Sequence, residues 1–162
     1  MSELLTDEYF MKHALAEART AYDKGEVPIG AVIVCRDRII ARAHNLTEIL
    51  NDVTAHAEMQ AITAAASVLG GKYLTDCTLY VTVEPCPMCA GACVNARLRT
   101  IVFGARDPRA GAVGSLFDIP RDGRLNHQCR VRGGVLKELC AEILMEYFRM
   151  KRELKSYKIE GE

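Results

Sequence analysis

The sequence predicts an α/β fold of three layers: a mixed central sheet of about five strands with helices on both faces. Two observations predict it. Apolar residues recur at helical spacing in four segments, and short β-branched runs fall between them. Strand-like and helix-like segments alternate with short links, which makes parallel pairs through right-handed crossovers. Strands apolar on both sides then need helices above and below them.

Each element follows from local chemistry. Thr6 can cap a first helix, with Asp7 and Glu8 in its first turn where the dipole favours acids, and Phe10, Ala14, Ala18 and Ala21 form its apolar stripe. Residues 31–35 read as a buried strand, Arg36-Asp37-Arg38 as a turn, and residues 39–43 as the antiparallel partner. A polar loop covers residues 45–53. Thr54 is the expected cap of a second helix running to Leu69, where Gly70 and Gly71 supply a left-handed end. Residues 78–83 form a strand, 85–96 a third helix and 100–104 another buried strand. Residues 105–129 form a long Gly- and Arg-rich segment, a length usually reserved for function. Val131 joins a last short strand, and residues 135–155 form a final helix. With 162 residues and no linker or repeat, the chain is expected to be one domain, its last ten or so residues a flexible tail.

Composition narrows the class. Formal net charge is zero, yet residues 97–132 hold eight arginines against three aspartates. An arginine-rich face could grip phosphates; the same residues could equally sit in ordinary surface ion pairs. Seven cysteines is an odd number, so they cannot all pair, and the N-terminal residues lack a basic region followed by an apolar stretch. No apolar run approaches the ~20 residues of a membrane span. A cytoplasmic protein with no membrane partner is expected, and in that compartment clustered cysteines bind metal or react more often than they pair.

The chemistry concentrates in two short stretches. His56-Ala57-Glu58 opens the second helix, and Pro85-Cys86-Pro87-Met88-Cys89 opens the third. Cys86 and Cys89 are three apart, so on a helix they share one face. At a helix start, N–H groups and the dipole favour thiolate, the form that binds metal. Two thiolates and a neutral imidazole select Zn2+ over calcium or magnesium. Cys93 lies seven residues past Cys86, about 10 Å along a helix, too far to share an ion held by 2.3 Å bonds. Three protein ligands leave a position for a water or hydroxide, the mark of a catalytic rather than a structural zinc. Glu58, two residues from His56, suits proton transfer better than ligation, because on a regular helix the two side chains diverge. His-x-Glu followed thirty residues later by Pro-Cys-x-x-Cys is the known signature of zinc-dependent nucleobase deaminases.

Further stretches extend the match: Glu26 to Val32, Thr54-Ala55-His56-Ala57-Glu58, Thr78 to Thr82, Glu84 to Ala92, Phe103-Gly104-Ala105-Arg106-Asp107, Gly114-Ser115-Leu116, Asn126-His127 and Phe148-Arg149-Met150. Across residues 7–152 the chain resembles the bacterial tRNA-specific adenosine deaminases, of cytidine-deaminase-like fold, which turn the wobble adenosine of an anticodon into inosine. The resemblance implies a homodimer with one zinc per subunit and a tRNA anticodon stem-loop as partner. It implies that Asn45 hydrogen-bonds the purine, that the Ala57 N–H assists, and that Ile29 packs against the base. Arg106, Asp107, Asn126, Phe148 and Arg149 become RNA contacts. Plainer readings stand beside these: Asn45 capping a turn, Ile29 in the core, Phe148 in a helix stripe. Two rival functions share the motif, a free-base guanine or cytosine deaminase and a non-catalytic, zinc-stabilised RNA-binding module.

Overall fold

A computed structural model describes residues 5–160. Its order is α1 (Asp7–Asp23), β1 (Gly30–Cys35), β2 (Arg38–His44), α2 (Ala57–Leu69), β3 (Cys77–Val83), α3 (Pro87–Asn95), β4 (Thr100–Ala105), a 3-10 turn (Ile119–Arg121), β5 (Arg130–Arg132) and α4 (Lys137–Glu160). The five strands form one sheet in the order β2-β1-β3-β4-β5. β1 runs antiparallel to both β2 and β3, whereas β3, β4 and β5 are parallel. This is the mixed α/β/α architecture that the sequence predicts.

The period of two along each strand builds the layers. Ala31, Ile33, Leu79, Val81, Ile101 and Phe103 point to one face and pack with Ala57, Ala61 and Ala65 of α2 and Ala90 and Cys93 of α3. Their neighbours Val32, Val34, Tyr80 and Val102 point to the other, against Phe10, Met11 and Ala14 of α1 and Cys140 of α4. Gly30 lets α1 approach the sheet closely: a Cβ there would overlap the Ala14 carbonyl and the Ala18 amide.

Helix ends depart from expectation in ways that matter. The Thr54 hydroxyl bonds Asp52 Oδ1 at 2.7 Å instead of capping α2, and His56 becomes the N-cap. α3 begins at Pro87 with Cys86 as its N-cap. α4 begins at Lys137 because Leu136 is left-handed at φ 51°, and it continues through Glu160, so residues expected in a flexible tail are helical up to that point. The 105–129 segment holds the 3-10 turn and a Val113–Asp118 bridge. No helix among the described residues is long and apolar enough to cross a membrane.

Strand directions place the site. Because β1 is antiparallel to both neighbours, β2, β3 and β4 end at the same sheet edge. The loop into α2, the link into α3 and the 105–117 segment all leave from that edge, where ligands collect in open α/β sheets.

Candidate active site

His56 and Cys86 each occupy an N-cap, with extended backbones of φ −70°, ψ 153° and φ −72°, ψ 173°, and neither side chain caps its own helix. Both are therefore free to face across the gap between the two helix starts. His56 Nδ1 lies 3.7 Å from Cys86 Sγ and 3.5 Å from Cys89 Sγ, and the three donor atoms fall within 4.8 Å of one another. Tetrahedral bonds of 2.3 Å to sulfur and 2.0–2.1 Å to nitrogen would separate the donors by about 3.6 Å. The cluster thus fits one zinc-sized ion without rearrangement. Among the described residues no fourth His, Cys, Asp or Glu joins it, and Cys93 is fully buried in the core.

The electrostatics leave one donor ready for a metal, while the hydrogen bond to Cys86 and burial push the Cys89 thiol up. Hydrogen bonds from the Cys89 thiol and the His56 ring outweigh burial and bring the Cys86 thiol down to about 4, so it is a thiolate at neutral pH. Glu58, the second residue of α2, is 4% exposed. Burial raises its carboxyl above the ordinary range, opposed by a Cys89 hydrogen bond and the charge of His56. A carboxyl biased toward protonation beside a metal cluster can both take up and release a proton.

Glu58 opens onto a cavity of about 230 Å³ lined also by Val27, Ile29, Asn45, Thr47, His56 and Ala57. Three residues expected at the substrate, Ile29, Asn45 and Ala57, are thus brought beside the metal cluster. Asn45 Oδ1 accepts the Thr47 N–H at 3.3 Å, which leaves its NH2 as the donor available to the cavity. Ala57 is the first helical residue, so its N–H has no partner within the helix.

The expected RNA contacts are dispersed. Asp107 Oδ1 is engaged by the Arg109 and Ala110 N–H groups, and the Arg106 guanidinium lies 5.5 Å from the Phe103 ring centroid. Asn126 is exposed, in a stretch that His127 ties to the Leu98 carbonyl ahead of β4, outside the cavity lining. Phe148 and Arg149 flank a separate groove on α4. The arginine-rich stretch makes no single face. Arg121, Arg124 and Arg132 pair with Asp118, Asp122 and Asp7, while Arg99, Arg130 and Arg132 gather at the opposite sheet edge.

Sequence reasoning misses two buried carboxylates that shape the site. Glu26, fully buried, accepts N–H groups of Glu48 and Ile49 and so holds the loop that carries Asn45. Glu84, 3% exposed, accepts the N–H groups of Asp107, Val113 and Ser115 and the Ser115 hydroxyl, pinning the segment after β4. Gly111 sits so close that a Cβ there would collide with this carboxylate. The available signal is a single acid in an apolar stretch, which is costly to bury unless backbone donors meet it.

Burial raises the Glu84 carboxyl, but the Ser115 hydroxyl and the three N–H groups outweigh it and hold the pKa below the ordinary range. A depressed folded pKa contributes stability above the unfolded value, lost as pH falls through the folded one. Glu84→Ala is expected to cost about 3 kcal/mol at pH 7, the scale of stranding several charge-assisted bonds. Glu84→Gln should be less stable than the parent near neutrality, and the gap should close in acid. Urea titrations from pH 7 down to pH 3 measure both.

This layering, with a three-donor cluster that could hold a metal and a buried carboxyl at the carboxyl edge of the sheet, defines an enzyme of cytidine-deaminase-like fold. The MafB19-like deaminase family matches residues 5–152. A tRNA-specific adenosine deaminase of Bacillus subtilis (strain 168) is 52% identical over 149 residues, covering 92% of each chain. A solved structure from work on A-to-I editing by tRNA:A34 deaminases at the wobble position of transfer RNA is 48% identical, with TM-score 0.81, covering 84% of this chain and 99% of its own. More distant is a guanine deaminase structure from Nitrosomonas europaea, 29% identical with TM-score 0.73, covering 86% of this chain and 83% of its own. The chain belongs to the MafB19-like deaminases and to the family of the tRNA-specific adenosine deaminases.

Proposed function

We propose that this protein hydrolyses the wobble adenosine of a tRNA anticodon to inosine, releasing ammonia. One observation carries the proposal: His56 of the three-donor cluster, Glu58 and Asn45 line one cavity of about 230 Å³, in a chain about half identical to tRNA-specific adenosine deaminases.

His56, Cys86 and Cys89 would hold Zn2+, which when bound supplies a water acidic enough to attack at neutral pH. Glu58 accepts a proton from the attacking water and returns protons to the ring nitrogen and the departing amine. The Asn45 NH2 and the Ala57 N–H orient the base through its acceptors, and Ile29 packs on its face. Loop nucleotides suit such a cavity, because an unstacked base is cheap to extrude.

A groove on α4 supports RNA as the partner. Arg109, Met145, Phe148, Arg149, Arg152 and Lys155 line it. Lys151 lines it too, and among the described residues none of these five cations lies within ion-pair distance of a carboxylate, unlike Arg121 or Arg124. Unpaired cations around exposed Phe148 suit phosphates and a stacked base. Arg152→Ala should raise the KM for a stem-loop, spare kcat and reduce the logarithmic salt slope of binding by about 1. Fluorescence anisotropy between 50 and 200 mM salt reads that slope.

We read the chain as a homodimer acting in the cytoplasm. Ile49, Leu50 and Val53, exposed by 54%, 54% and 84% beside the cavity loop, are apolar surface that a second subunit would cover. The deciding experiment offers an unmodified anticodon stem-loop, free guanine and free cytosine to the zinc-loaded protein. Inosine in the loop with both free bases untouched supports the proposal. Ammonia released from a free base alone selects the rival deaminase.

A further inference from the structure

The sheet edge opposite the metal cluster carries two cysteines that the deaminase reading leaves unused. Cys35 ends β1 and Cys77 begins β3, and the antiparallel register sets them directly opposite each other. Such pairs have Cα atoms about 4.5 or 5.5 Å apart and side chains on one face. Disulfides span Cα separations of roughly 4.4–6.8 Å, so this backbone can accept one. Cys77 belongs to the core beneath α2 and α3, and Cys35 packs against that same core.

Access is asymmetric. Cys77 is fully buried and Cys35 is half-buried, yet both line a surface hollow of about 660 Å³ with Arg36, Arg38, Tyr73 and Thr75. The two guanidinium groups attract an anionic reagent. Cys35, the more exposed of the two, is therefore the first to react, while burial raises the Cys77 thiol above its ordinary value.

We propose that Cys35 and Cys77 form a modification site, a dithiol that closes to an internal disulfide by exchange with a small anionic disulfide. The Cys35 thiolate attacks one sulfur of the reagent, giving a mixed disulfide and one departing thiolate. Cys77 then attacks Cys35 Sγ, and the second reagent thiolate leaves. The two protein thiol protons end on the two released thiols, so the reagent is reduced by two electrons and the protein is oxidised by two. The new bond links β1 to β3 across the 36–76 segment. It stabilises by restricting the unfolded chain and leaves the metal edge untouched.

The test treats zinc-loaded protein with oxidised glutathione and maps every cysteine by peptide mass spectrometry. The expected result is a Cys35–Cys77 linkage, a Tm raised by roughly 5–10 °C and restored by reductant, and unchanged deamination. Cys77→Ser should trap glutathione on Cys35, because the resolving thiol is gone, and Cys35→Ser should give neither product. A wild-type protein that keeps glutathione on Cys35, or that oxidises elsewhere while Cys35 and Cys77 stay reduced, overturns the proposal. The wild-type map decides even if a variant fails to fold. None of these readings depends on which base is deaminated.

Discussion

Glu58→Gln is expected to lower kcat for stem-loop deamination by roughly 10³–10⁴-fold, the upper range of proton-transfer contributions, with zinc retained. Gln keeps the shape of the side chain but cannot carry a proton. Every group that would touch the base, Asn45, Ala57 and Ile29, stays in place around the cavity, so KM should move only a few-fold. Equal losses in kcat and kcat/KM mark a group that acts in the transition state alone. Zinc content by elemental mass spectrometry, beside single-turnover inosine formation, separates this outcome from a damaged metal site. Full activity in the variant would falsify the catalytic role of Glu58, whereas a parent that binds the stem-loop without deaminating it would favour the zinc-stabilised RNA-binding module.

His56→Ala should be more destructive, because it removes a metal donor. Two cysteine donors would remain, and Cys86 would lose a partner that holds its thiol down to about 4. Zinc affinity should fall by more than the 10–100-fold typical of losing an outer-shell partner, and turnover should vanish with it. The effect also reaches stability. An ion that binds only the folded chain stabilises it by about 2.7 kcal/mol at a hundred times its Kd, so chelation should lower the parental Tm by roughly 5–10 °C. Readdition of zinc should restore both Tm and activity to the parent and neither to the variant. A variant Tm that still rises with zinc would show that His56 is not a ligand.

The cluster of donors that could hold a metal is legible because its chemistry is short-range. Cys86 and Cys89 are neighbours on any helix start, and an imidazole in the fixed order before them completes a three-donor set. Periodicity likewise marked the apolar faces of α1 and α4, and β-branched runs marked the strands. Helix starts were less legible. Thr54 is a good cap by residue type, but Asp52 competes for its hydroxyl. That competition moves the cap to His56; Cys86, directly ahead of Pro87, holds the matching place on α3, so both donors stand on extended backbone rather than on regular helix.

Local sequence thus specifies the elements, the donor set and their order along the chain, since propensity, capping and spacing act within a few residues. Strand pairing across long separations specifies the rest. The order β2-β1-β3-β4-β5 brings three carboxyl ends to one edge, and buried Glu26 and Glu84 then fasten the loops around the cavity. The same pairing scatters an arginine-rich stretch that looks continuous in one dimension and leaves a cationic groove on α4 instead. It also sets Cys35 against Cys77, forty-two positions apart in the chain. Contacts of this kind depend on burial and register summed over the whole sheet, which no short window of residues encodes.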